Sequence, residues 1–93
     1  MKKAKSHASV WDAIAASPDE AANLRMRAEL MRHIAAVVRN AGWTQAEAAR
    51  RSGATQPRLN DLLRGRISRF SLEALVNIAA ALGWKVSLGL QAA

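Results

Sequence analysis

Between positions 56 and 64 the chain reads Gln-Pro-Arg-Leu-Asn-Asp-Leu-Leu-Arg. Leu59, Leu62 and Leu63 stand three and four apart and mark the buried side of a short helix. The opposite side carries Pro57, Asn60, Asp61 and Arg64, flanked by Gln56 and Arg58. Side chains of these types can read the edges of base pairs. An amide bonds adenine in bidentate fashion, a guanidinium bonds guanine, a carboxylate accepts from cytosine, and a proline ring can touch a thymine methyl. Gln56, Pro57, Arg58, Asn60 and Asp61 are therefore the candidate base-reading residues. Asp61 has a second reading of equal weight, a local ion pair with Arg58 or Arg64, three residues away on either side.

A second group suits phosphate. Thr44 and Gln45 open a preceding helix, where free backbone N–H groups attract anions, and Thr55 opens the helix at 56. Arg64, Arg66, Ser68 and Arg69 follow that helix in a basic loop. The chain carries a net charge of +7 over 93 residues. Residues 44–69 hold six arginines against Glu47 and Asp61, a net +4, so the excess concentrates where a polyanion would lie.

The elements that must position these groups are legible from their ends. Thr44 and Glu47 form a Thr-x-x-Glu capping box, which starts a helix, and Gly53 stops it. Thr55 is an N-cap, Pro57 fits the first turn, and Gly65 ends the second helix. Helices joined by so short a turn pack closely only where the contact residue is small, as Ala49 is. The pattern of Gln45, Ala49, Gly53, Ala54, Leu59 and Leu62 resembles the helix-turn-helix of the Cro and phage-repressor type, the XRE family. Ser52 departs from it, since an apolar residue is usual there. The resemblance implies that the helix over 56–64 enters a major groove and that Gln56 reads a base, commonly adenine. The next position is polar in several members of that family, where this chain has Pro57.

The rest of the chain supplies a frame. Residues 1–9 are basic and without periodicity, either a solvated tail or an arm adding phosphate contacts. Val10, Trp11 and Ile14 suit one docking helical turn. Ser17-Pro18-Asp19-Glu20 is a second capping box. From it a helix of about 36 Å extends to Gly42 at 1.5 Å per residue. Its apolar face broadens toward the C-terminal half, so the N-terminal half should project or bind something else. Ser71 caps a last helix bearing Leu72, Leu75, Ile78, Ala79 and Leu82, closed by Gly83.

Residues 84–91 change period: Trp84, Val86, Leu88 and Leu90 alternate with polar or small residues, the repeat of a half-buried strand. A lone strand leaves its N–H and C=O groups unpaired, and pairing with the same strand of a second copy about a two-fold axis is the economical solution. The expected fold is all-α, a compact bundle of about five helices over residues 10–83, with a short C-terminal β-strand used for homodimerisation. Two recognition helices in such a dimer, about 34 Å apart, would read a palindromic site on double-stranded DNA.

The resemblance extends further. Val10-Trp11-Asp12-Ala13, residues 18–22, Gly-Trp-Thr-Gln at 42–45, the run 58–65 and Phe-Ser-Leu-Glu-Ala-Leu at 70–75 are similar to small HigA-like antitoxins. That resemblance implies a dimer that binds its own promoter and neutralises a RelE-like ribonuclease toxin.

Other classes find little support. With no cysteine there is neither a disulfide nor a thiolate metal site, and with only His7 and His33 no histidine cluster, so no metal or cofactor is expected. No apolar run reaches the ~18 residues of a membrane span, so a cytoplasmic protein is expected. No nucleophile elbow, phosphate loop or His-Glu metal motif suggests an enzyme. Trp11, Trp43 and Trp84 read as core packing.

Overall fold

The computed structural model describes residues 17–92. The basic tail at 1–9 and the turn expected around Val10, Trp11 and Ile14 lie outside the described residues. Among the described residues the fold comprises four α-helices and one 3₁₀ turn: α1 (Pro18–Ala41), α2 (Gln45–Ser52), α3 (Gln56–Leu63), the 3₁₀ turn (Ile67–Arg69) and α4 (Leu72–Ala81).

Each α-helix starts at a hydroxyl cap. Ser17 Oγ accepts from the Glu20 N–H, Thr44 Oγ1 from Glu47, Thr55 Oγ1 from Arg58 and Ser71 Oγ from Ala74, all at 3.1–3.2 Å. Each satisfies one of the N–H groups a first turn leaves orphaned. The second half of the Thr44 box does not form, because the Glu47 carboxylate bonds Arg50 and Arg51 instead. Two guanidiniums outbid one backbone N–H for a surface carboxylate.

Gly53 lets α2 turn into α3. At φ +73° it occupies the left-handed region, and the chain closes with Ala54 N–H donating to Ala49 O at 3.1 Å. Gly65 repeats the device after α3 at φ +74°, with Arg66 N–H donating to Asp61 O at 3.0 Å. Ser52, where an apolar residue was expected, is buried yet satisfied. Its Oγ donates to Ala49 O at 3.0 Å and accepts from Ala54 N–H at 3.3 Å.

The core has two adjoining parts. Met31, Ile34 and Ala35 of α1 pack with Leu62, Phe70 and the buried face of α4, Leu75, Ile78 and Ala79. Val38, Ala48, Ala49 and Leu59 form the second, which seats α2 and α3 against the end of α1. Leu63 and Leu82 touch both. The small side chains of Ala48 and Ala49, 0% and 4% exposed, are what allow α2 and α3 this approach.

Two expectations need correction. Of the two expectations for the N-terminal half of α1, that it projects or that it binds something else, the first does not hold as far as Arg27, which bonds the 3₁₀ turn. The strand expected at 84–91 is not formed among the described residues; this segment has no regular secondary structure. Its alternation describes what a strand would bury, but the helical body offers no sheet edge for it to join. Trp84, Val86, Leu88 and Leu90 are exposed, Leu90 by 97%, so Trp84 is not a core residue. Trp43 is half-buried against the second core cluster, and Trp11 lies outside the described residues.

Candidate nucleic-acid interface

The N-terminal turn of α3 presents Gln56 and Pro57 to solvent, with half-buried Asn60 one turn on. None of these side chains has a hydrogen-bond partner among the described residues. Buried Leu59 and Leu62 fix the helix's rotation, so the polar face is held outward by the core beneath it. An unpartnered amide on a rigid helix can bond a base edge without breaking a bond to its own protein.

Arg58 and Asp61 lie differently. The Arg58 guanidinium sits over the Phe70 ring, 4.4 Å from its centroid, and Nη1 donates to Arg69 O at 3.4 Å. Asp61 pairs with neither Arg58 nor Arg64, as a local ion pair would require. Its carboxylate takes Arg69 at 3.2 Å and Arg66 at 3.6 Å, both from the loop beyond α3. Its side chain is 19% exposed against 43% for Arg66 and 57% for Arg69, so the acid lies beneath the two cations. Asp61 orders the basic loop, and the arginines keep outward-facing donors.

The phosphate-binding candidates sit at the starts of α2 and α3 and in the loop and 3₁₀ turn after α3. Thr44 and Thr55 use their hydroxyl oxygens as caps, which leaves each hydroxyl proton to donate outward. Gln45, Arg64 and Ser68 are exposed and have no side-chain bond among the described residues. On α2 the Glu47 carboxyl is held below its usual range by hydrogen bonds from Arg50 and then Arg51. Arg51 also lies over Trp43, 4.7 Å from the ring centroid.

Sequence reasoning missed the support behind the loop. Arg27 Nη1 donates to Ile67 O at 3.2 Å and Phe70 O at 3.1 Å, while its Nε donates to Asn23 Oδ1 at 2.7 Å. The four-residue spacing of Asn23 and Arg27 is visible in the sequence, but nothing there points at carbonyls about forty residues on. Arg39 is similar, with Nη2 donating to Leu63 O at 3.3 Å, a cation at the C-terminal end of α3.

Away from this face, α1, α4 and residues 84–88 enclose an open apolar groove of about 860 Å³, lined by Met26, Leu30, Val37, Val76, Trp84 and Val86 among others. Among the described residues no helix is long and apolar enough to cross a membrane.

No curated protein matches the chain. A family profile described as a helix-turn-helix domain matches residues 13–91, which takes in all four helices and the segment after them. Two capped helices turned about Gly53, a polar outer face on the second and a basic loop after it fit that match, and the chain belongs to this family of DNA-binding helix-turn-helix domains.

Proposed function

We propose that this protein is a sequence-specific transcriptional regulator of the Cro/phage-repressor type, a repressor that binds a palindromic operator as a homodimer. The observation that carries the reading is the unpartnered Gln56, Pro57 and Asn60 face of α3 beside a cationic loop seated on Asp61. The helix supplies base contacts and the loop supplies phosphate contacts. Gln56 is assigned to adenine, and Pro57 to van der Waals contact with a thymine methyl.

The dimer part of the reading is supported by the exposed alternation of Trp84, Val86, Leu88 and Leu90 beside an apolar groove. The same segment of a second copy seated against these side chains would take their apolar surface out of water. Sedimentation tests this part: a monomer at micromolar concentration would remove it.

The test of the main reading is binding of a labelled duplex from immediately upstream of the reading frame, at two salt concentrations, against scrambled competitor. Tight, competitor-resistant binding with two symmetric protected half-sites is expected. Gln56→Ala should narrow the gap between operator and scrambled duplex, whereas Arg66→Ala should weaken both and lower the salt slope by about one. Wild-type binding no better than to scrambled duplex would refute the reading.

A second reading is an antitoxin that also neutralises a RelE-like toxin. Its support is the groove along α1, where half-exposed Met26 and exposed Val76 give a protein partner an apolar seat apart from the DNA face. Co-purification of a toxin encoded by a neighbouring reading frame tests it, and a variant with Met26→Asp should lose that toxin and keep DNA.

A further inference from the structure

Ten arginines fall within the described residues, and nine of them, all but Arg25, sort by their partners. Arg50 and Arg51 are held by Glu47, Arg66 and Arg69 by Asp61, Arg58 by the Phe70 ring and Arg27 by loop carbonyls. Arg32 and Arg64 have no partner among the described residues, and Arg39 bonds only the Leu63 carbonyl. These three line one shallow groove of about 320 Å³ between α1 and the end of α3. No acidic residue lines it.

The geometry follows from helix spacing. Arg32 and Arg39 are seven residues apart, nearly two full turns, so they share a face of α1 about 10.5 Å apart along its axis. Small Ala28 and Ala35 lie between and beside them and open the groove, while Gly65 and the Arg64 side chain form its far wall. Three guanidiniums around one concavity repel one another, and the described residues supply no carboxylate to offset it. An anion brought from outside relieves that repulsion. Guanidinium matches phosphate in bidentate fashion, so each of these arginines can take one backbone phosphate.

We propose that Arg32 and Arg39 carry the phosphate-binding surface from the Arg64 loop onto α1, so that the protein grips the DNA backbone beyond the stretch read by α3. The inference rests on the DNA-binding reading above. Continuity with Arg64, one residue past the recognition helix, favours a nucleic-acid backbone over an acidic face of a protein partner. Contacts of this kind hold any sequence equally, which separates their effect from that of Gln56.

The test uses the full chain and two probes, the upstream duplex and a scrambled duplex, over about 50 to 200 mM salt. Arg32→Gln is the informative variant, because this side chain has no hydrogen bond of its own to lose. Its salt slope should fall by about 0.9, the double variant Arg32→Gln/Arg39→Gln by about 1.8, and affinity for both probes by the same factor. Arg32→Lys should restore the slope, and melting curves should show the fold intact. An Arg32→Gln slope equal to wild type would overturn the inference, as would unchanged DNA binding with loss of an acidic protein partner. Failure of the underlying reading is distinguishable, since wild type itself would then show no salt-dependent affinity for either probe.

Discussion

Removing the Arg27 side chain should loosen the loop after α3 from behind without touching any residue proposed to contact DNA. Arg27 spans from α1 to the two ends of the 3₁₀ turn, donating at 3.2 and 3.1 Å to carbonyls of Ile67 and Phe70. A hydrogen bond to a charged donor is worth ~1.5–3 kcal/mol where water is excluded. Here both bonds come from one Nη1 and the site is only part-buried. Water can replace part of the loss, so Arg27→Ala should cost about 2 kcal/mol in all. At ~4–8 °C per kcal/mol for a domain of this size, the melting temperature should fall by ~8–16 °C. Thermal unfolding followed by far-ultraviolet circular dichroism reads this directly. Asn23→Ala, which removes only the surface bond to Nε, should cost less than ~0.5 kcal/mol, the scale of an exposed helix pair. Affinity for the upstream duplex should drop in Arg27→Ala below the temperature at which the fold melts, because Arg66 and Arg69 ride on the released turn. An Arg27→Ala melting point within about 2 °C of wild type would refute the bridge as a stabilising element.

Three further outcomes follow from the geometry. Ala49→Leu places a branched side chain where α2 and α3 meet and should cost ~1–3 kcal/mol by overpacking, read in a denaturant melt; a neutral result would mean the helices can move apart freely. Glu47 has a lowered carboxyl pKa in the fold, so its stabilisation is present above the unfolded value and lost as pH falls through the folded one. Melts from about pH 7 to pH 3 should therefore show wild type and Glu47→Gln converging in acid, and a constant difference would count against the ion pair. Leu88→Asp with Leu90→Asp should leave the melting curve of the helical body in place at low concentration and abolish any dimer seen by sedimentation.

The local signals were legible because they act within a few residues. Hydroxyls at 17, 44, 55 and 71 mark helix starts, and left-handed glycines at 42, 53, 65 and 83 mark their ends. The outward face of α3 was legible for the same reason, since three leucines set its rotation. Long-range choices were not. Asp61 had suitable cations at three-residue spacing in Arg58 and Arg64, yet bonds Arg66 and Arg69, because Gly65 turns the loop back over Asp61. Arg58, a candidate base reader suited to guanine, lies over the Phe70 ring, a contact no helical period announces. The alternation at 84–91 specifies one face of a strand but is silent about the edge it would pair with.

That last segment also governs what a stability measurement on this chain means. Leu88 and Leu90 stand almost wholly in water, 86% and 97% exposed. A partner that covered them only in the folded chain would shift the folding equilibrium by mass action. A partner at one hundred times its dissociation constant adds about 2.7 kcal/mol, a sizeable fraction of what a domain this small can have. Melting temperature then becomes a function of dilution. Without such a partner the chain would be in its least stable form while offering an exposed apolar segment to proteases or to aggregation, so its lifetime would follow the partner's abundance.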